Sequence, residues 1–261
     1  MFETIDYEVQ DGVATIRLNR PEQHNAINAA MHRELPLAWQ RFNSDDAAIV
    51  AIFTGTGTRA FCTGADIADL PQLGTGAEEC DAAMRWTARR NAVWKPVICA
   101  VNGMAVGGGL HFIADSDIVI AADSATFFDT HVKVGMVAGL EPVELSRRMP
   151  LEAVLRMALI GGGERIGAAR AYQLGLVGEV VAAAGLLARA REIADLIKIN
   201  SPVAMARTKQ AIWQAQELPL EAALRNAWRL IAEHNAGPDF AEGVQAFRER
   251  RAPRWQPFRE E

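Results

Sequence analysis

Val101-Asn102-Gly103-Met104-Ala105-Val106-Gly107-Gly108-Gly109-Leu110-His111 is the stretch that decides how this chain is read. A strand-like apolar run leads into three consecutive glycines, and an imidazole follows two residues later. Glycines carry no side chain to keep a ligand from the backbone, and an N–H at a helix start can donate to a developing negative charge. The pairing points to an oxyanion site beside a proton-transfer group, while a tight turn is the other reading of the glycines alone. The spacing fits neither a dinucleotide fingerprint nor a phosphate loop, which need G-x-G-x-x-G or G-x-x-x-x-G-K-[ST].

Working outward, Ile49 to Gly55 reads as a buried strand, Thr56 to Arg59 as a turn, and Ala60-Phe61-Cys62-Thr63-Gly64-Ala65-Asp66 as a second Gly-bearing segment. Val13 to Leu18 alternates like a strand and runs into Asn19-Arg20-Pro21-Glu22-Gln23-His24-Asn25-Ala26-Ile27-Asn28. Further strand-like runs lie at 97–101, 118–121 and 176–181. Helical spacing covers Ala29 to Asn43, with Pro36 expected near its beginning or at a kink, and Cys80 to Trp94 after a loop containing Gly74 and Gly76. A helix around Arg165 to Leu174 is expected to end at Gly175. Ala184 to Ile199, Pro202 to Gln216 and Leu220 to Asn235 complete the helical pattern, interrupted by Pro202, Pro219 and Pro238.

The motifs N-R-P-x-x-x-N-A-[IL], F-x-x-G-A-D and N-G-x-A-x-G-G-G occur in that order, and the chain resembles the crotonase superfamily, the enoyl-CoA hydratase/isomerase family, over nearly its whole length. The resemblance implies an α/β fold built as a spiral of ββα repeats, with a core over residues 1–195 and a C-terminal helical region, 196–261, used for trimerisation. A self-packed helical bundle is the alternative for that tail. The family acts on coenzyme A thioesters, whose carbonyl oxygen would sit between the backbone N–H groups of Ala65 and Gly108. His24, Ala26, Gly64, Asp66 and Ile67 would then contact the substrate, although Asp66 also suits the cap of a following helix. No cofactor is expected beyond coenzyme A as part of the substrate.

The chain departs from the family where acid–base chemistry belongs, because the two glutamates of its hydratases are matched by His111 and His131. The second match rests on Ala125-Thr126-Phe127-Phe128-Asp129-Thr130-His131. An imidazole titrates near pH 6.5 and can serve as acid or base at neutral pH. Two close imidazoles would nevertheless resist both being charged. Glu141, ten residues beyond His131, lies near where some family members keep a catalytic acid. Folded back, it could receive the His131 N–H and fix its tautomer; otherwise it is a solvated loop charge.

With 261 residues, 50% hydrophobic content and a formal net charge of −5, the chain suits one substantial core and gives no reason to expect nucleic acid or an anionic membrane as partner. The expected partners are an acyl-CoA and further copies of the chain, as a homotrimer or dimer of trimers, and the expected location is the cytoplasm. Cys62, Cys80 and Cys99 lack paired ligand spacing, and the five histidines, His24, His32, His111, His131 and His234, do not suggest a metal. Candidates for the phosphates of coenzyme A are Arg20, Arg59, Arg248, Arg250, Arg251 and Arg254. Trp86, Trp94 and Met84 are expected mainly in the core, with an acyl pocket as their alternative use. Hydration or isomerisation of an enoyl-CoA is the leading expectation. Hydrolysis of a thioester or β-diketone, and silent binding of an acyl-CoA, are the alternatives.

Overall fold

The computed structural model describes residues 2–70 and 76–259. A hairpin, β1 (Ile5–Gln10) and β2 (Val13–Leu18), opens the chain, turned by Asp11 and Gly12, both at positive φ as a two-residue I′-type turn requires. That first strand is absent from the sequence expectations, yet the Asp-Gly pair was a readable hairpin signal.

From β2 onward the large sheet is parallel, continuing through β3 (Val50–Gly55), β5 (Val97–Val101), β7 (Ile118–Ala122) and β10 (Glu179–Val181). The interleaved strands β4 (Ala60–Cys62), β6 (Met104–Val106) and β8 (Thr126–Phe128) form a second sheet with β9 (Ile166–Gly167). Three successive strand pairs thus divide between the sheets, and each pair is followed by a helix.

Side chains of the large sheet alternate between two cores, as the period of two requires. Val50, Ile52, Ile98 and Ile120 pack against Leu186, Ala190 and Ala194 of α7 (Leu186–Ile197). Ala51, Phe53 and Cys99 face Leu35, Trp39 and Phe42 of α1 (Ala29–Ser44), with the rings of Trp39 and Phe53 stacked at 5.3 Å. Pro36 falls in the middle of α1, not near its beginning. Lys95 holds the end of that helix by donating from Nζ to the carbonyls of Phe42, Asp45 and Ala48.

The helix expected from Cys80 to Trp94 is replaced by the short α2 (Ala77–Ala83) and a single 3-10 turn at Arg89–Asn91. Asn91 explains the break: its amide donates to the carbonyls of Arg85 and Thr87, supporting a non-helical segment. Gly74 of the expected loop lies outside the described residues. A glycine turn (Gly107–Gly109) leads into α3 (Leu110–Asp115), and another 3-10 turn (His131–Val134) precedes α4 (Leu140–Leu145) and α5 (Leu151–Ile160). The helix α6 (Ala168–Gln173) is closed by Gly175 at φ +81, where the expected cap lies.

α8 (Pro202–Ala215) and α9 (Leu220–Asn235) pack together and are followed by α10 (Pro238–Glu249). Lys209 and Trp213 of α8 tie this region to the core through Asp117, at 2.9 and 2.8 Å. Among the described residues no helix is long and apolar enough to cross a membrane.

Candidate active site

Two glycine-bearing segments, 64–65 and 107–109, meet at van der Waals distance. Gly64 has φ +82, and a Cβ there would stand 2.9 Å from the Gly108 nitrogen. A Cβ on Gly108 would in turn lie 3.4 Å from Gly64 Cα and 3.7 Å from the Ala65 nitrogen. The N–H groups of Ala65 and Gly108 are therefore neighbours. Gly108 is the second residue of a helical start, where backbone donors have no partner inside the helix. Ala65 is exposed, and its N–H makes no hydrogen bond among the described residues.

Neighbouring contacts hold this wall in place. Ile27 N donates to Gly64 O and Asp66 N to Ile27 O, a parallel bridge that leaves Ala65 N free between them. Arg20 straps the seam, donating from Nη1 to Ala26 O at 2.6 Å and to Asp66 Oδ2 at 2.9 Å. Arg20, a phosphate candidate from sequence, is thus paired within the protein. Asp66 caps no helix: the chain after it turns, and its Oδ1 accepts from Ala68 N. His24 lies at φ +53 with its carbonyl accepting from Thr63 Oγ1, while Ile67 is 77% exposed beside the donors. At the C-terminus, Arg251 is paired with Glu242 and Glu249.

Beside the donors lies a chain of titratable groups. The His131 ring rests on Gly107, where a Cβ would meet its Cε1 at 3.2 Å. Its Nδ1 is 2.9 Å from Asp129 Oδ2, and its own backbone N–H donates to Asp129 Oδ1. Asp129 is fully buried, so an ionised carboxylate there requires the proton on Nδ1 and turns Nε2 outward. That nitrogen faces Glu141 Oε1 at 3.8 Å, too long for a direct hydrogen bond. The hydrogen bond that His131 donates to Asp129 is the main reason His131 titrates above the ordinary histidine value; partial burial opposes it and Glu141 adds to it.

Sequence reasoning placed His131 and Glu141 at the site but left open what joined them. The structure gives the tautomer-fixing role to Asp129, not Glu141. Nor is Glu141 a solvated loop charge: it is 5% exposed, in the first turn of α4. Its Oε1 also lies 3.4 Å from Nε2 of His111, which is equally buried. The contact lacks hydrogen-bond geometry, and His111 Nε2 has no other partner. His111 Nδ1 instead pairs with Glu144 Oε2 at 2.8 Å. Asp129 and Glu144 were missed. Their signals were local: Asp129 precedes His131 by two residues, and Glu144 shares a helix face with Glu141 at i, i+3.

Trp86 is buried beside the site, edge-on to His111 at 6.2 Å, with its indole N–H donating to His32 Nδ1. A Cβ on Gly108 would come within 3.1 Å of its ring.

Residues 8–257 match the enoyl-CoA hydratase/isomerase family. The chain belongs to that family. It is 37% identical over 258 residues to the (E)-benzylidenesuccinyl-CoA hydratase of Thauera aromatica, covering 95% of this chain and 97% of the relative. Against the 2,3-dehydroadipyl-CoA hydratase of Escherichia coli it is 33% identical, over 94% and 95% of the two chains. The crystal structure of an enoyl-CoA hydratase/isomerase from Mycobacterium paratuberculosis superposes with a TM-score of 0.91 at 43% identity, covering 98% of this chain and 99% of that one. The α/β fold expected from the motifs is thereby established, and the chain is an enzyme of the enoyl-CoA hydratase/isomerase type.

Proposed function

We propose that this enzyme adds water across, or shifts, the double bond of an enoyl-CoA, using His131 and Glu141 as its acid–base pair. The observation that carries the reading is the meeting of two backbone donors with His131, whose ring packs on the glycine next to one of them. The thioester oxygen is held by the N–H groups of Ala65 and Gly108. In hydration, Glu141 takes a proton from water as its oxygen bonds to the β-carbon, and the electron pair of the double bond moves onto the thioester oxygen. The imidazolium of His131 then gives its Nε2 proton to the α-carbon. Transfer of the proton from Glu141 back to His131, which it faces, restores both groups. In isomerisation the same pair removes a proton at one carbon and returns it at another.

Preorganised donors aimed at the developing charge stabilise it without reorganisation, and one such donor contributes roughly 3 kcal/mol. Proton transfer by a positioned group adds roughly a factor of 10²–10⁴. A histidine held by a buried carboxylate suits the donor role, since its hydrogen bond to Asp129 raises its pKa above the ordinary histidine value and so favours the charged ring.

The test is purified enzyme with crotonyl-CoA and longer enoyl-CoAs, following the conjugated thioester absorbance and the 3-hydroxyacyl product. Turnover lost in His131→Ala, with coenzyme A binding retained, supports the assignment; equal turnover in the mutant removes His131. The Asp129–His131 pair also fits a second reading, activation of water for thioester hydrolysis, which would release free thiol instead. Binding without either product would favour a silent acyl-CoA binder. We further propose assembly through the C-terminal helices, where Trp228 and Phe247 are 70% and 86% exposed. Sedimentation of a Trp228→Asp/Phe247→Asp variant as a smaller species than the unaltered protein would support it.

A further inference from the structure

His111 stands where hydratases of this type are expected to carry a substrate-facing carboxylate, but its ring nitrogens are directed elsewhere. Nδ1 is bonded to Glu144 at 2.8 Å, and Nε2 lies 3.4 Å from Glu141 Oε1 without hydrogen-bond geometry. Both carboxylates come from α4, packed against α3, and the ring is 5% exposed. Its edge is covered by Trp86. A neutral ring in this setting would donate from Nδ1 and leave a bare Nε2 lone pair 3.4 Å from a carboxylate oxygen, an unfavourable contact. A charged ring places positive charge beside that oxygen instead, an ion pair that does not need hydrogen-bond alignment.

We infer that His111 is a positioning residue: a buried imidazolium, anchored by Glu144, that holds the Glu141 carboxylate facing His131. The inference rests on the proposed role of Glu141 in the reaction. Glu141 Oε1 lies between the two rings, 3.4 Å from His111 Nε2 and 3.8 Å from His131 Nε2, so rotation of its side chain would change the reaction geometry directly.

The charged groups around the clamp set its pH range. His111 meets Glu141 and Glu144 from α4, and Arg90 acts on it from the 3-10 turn at Arg89–Asn91. On α3 itself, Asp115 is committed to Arg89. His131 faces Asp129 as well as Glu141. Burial alone would discharge His111, but its hydrogen bond to Glu144 and the charges of Glu141 and Glu144 outweigh both burial and Arg90, raising its pKa. The clamp is therefore complete below the ordinary histidine range and is lost as pH rises through the raised value.

The test uses the full-length enzyme labelled with ¹⁵N-histidine, titrated by NMR, together with kcat and KM across pH. Glu144→Gln keeps an acceptor for Nδ1–H but removes the charge. The His111 midpoint should fall by about one pH unit or more in Glu144→Gln and in Glu141→Gln, a difference that corresponds to tenfold in proton affinity. The alkaline limb of kcat should move to lower pH in Glu144→Gln. His111→Gln should lose roughly 10–100-fold in kcat with KM within about twofold. An unshifted His111 midpoint in both glutamate variants, or unchanged turnover in His111→Gln, would overturn the proposal. The NMR titration needs no substrate. An enzyme that fails to convert enoyl-CoA but shows the coupled titration thus rejects the reaction and keeps the clamp.

Discussion

Gly64, Gly108 and Gly109 form one wall of the site, and Asp129, His131, Glu141 and Glu144 form the other; the first works by what its residues lack, the second by what they carry. On the donor wall a Cβ at Gly109 would stand 2.3 Å from the Cys62 carbonyl oxygen, and one at Gly64 would stand 2.9 Å from the Gly108 nitrogen. Those neighbours are backbone and cannot rotate away. On the acid–base wall each group depends on one or two partner atoms, and substituting one leaves the main chain in place. Fold and chemistry are thus supported by different residues, and substitutions should separate them.

The largest effect is expected at Gly109. Gly109→Ala should lower stability by about 3–5 kcal/mol, or prevent folding, because two packed backbone segments must part. Gly167, with open space around its Cβ position, provides the contrast: Gly167→Ala should stay within about 0.5 kcal/mol. Thermal unfolding of the two variants is the check, and equal melting temperatures would mean that close approach does not govern the donor wall.

His131→Ala should show the reverse pattern, losing roughly 10²–10⁴ in kcat while melting close to the unaltered protein. Gly64→Ala should fall between the two extremes. It strains a positive φ and displaces the Gly108 donor, so both stability and kcat decline, the latter by roughly 10²-fold. A Gly64→Ala enzyme with full turnover would dissociate the glycine contact from oxyanion stabilisation.

Asp129→Asn sharpens the comparison through pH. Asp129 raises the His131 pKa in the folded protein, so this pair contributes stability that is fully present below about pH 6.5 and is lost as pH rises through the raised value. Removing the carboxylate should bring the His131 midpoint down, shift the alkaline limb of kcat to lower pH, and shrink the difference in melting temperature between pH 6 and pH 9. An unchanged pH dependence would show that Asp129 does not control His131.

The two walls also differed in how far they could be read from sequence. The close approach on the glycine side was legible because it is written as glycine, at Gly64 and in Gly107-Gly108-Gly109, although those glycines alone also fit a tight turn. The parallel strands at 50–55, 97–101 and 118–122 were legible as continuous apolar runs. Asp129 and Glu144 were not, since a carboxylate in a polar stretch looks the same whether it meets water or an imidazole. What distinguishes Glu144 is the packing of α4 on α3, which brings it to His111, 33 positions away, whereas Asp129 is marked by its burial beneath His131, two residues on. Asp66 was misread for a related reason: its residue type suits a helix cap, but the chain turns instead and its second oxygen meets Arg20, 46 residues away.

That seam gives the smallest predicted effect on activity. Asp66→Asn keeps an oxygen for Ala68 N but loses the charge facing Arg20, in a pair whose side chains are 15% and 16% exposed. A half-shielded pair of this kind contributes about 1 kcal/mol. Ala65 remains bridged to Ile27 through Gly64 O and Asp66 N, so its N–H should be loosened and not lost. The expected result is a two- to fivefold fall in kcat/KM with no shift in the pH profile, because no group of the acid–base wall is touched. A shift in the pH profile would mean that the two walls are electrostatically coupled across the substrate space, and the division between them would have to be withdrawn.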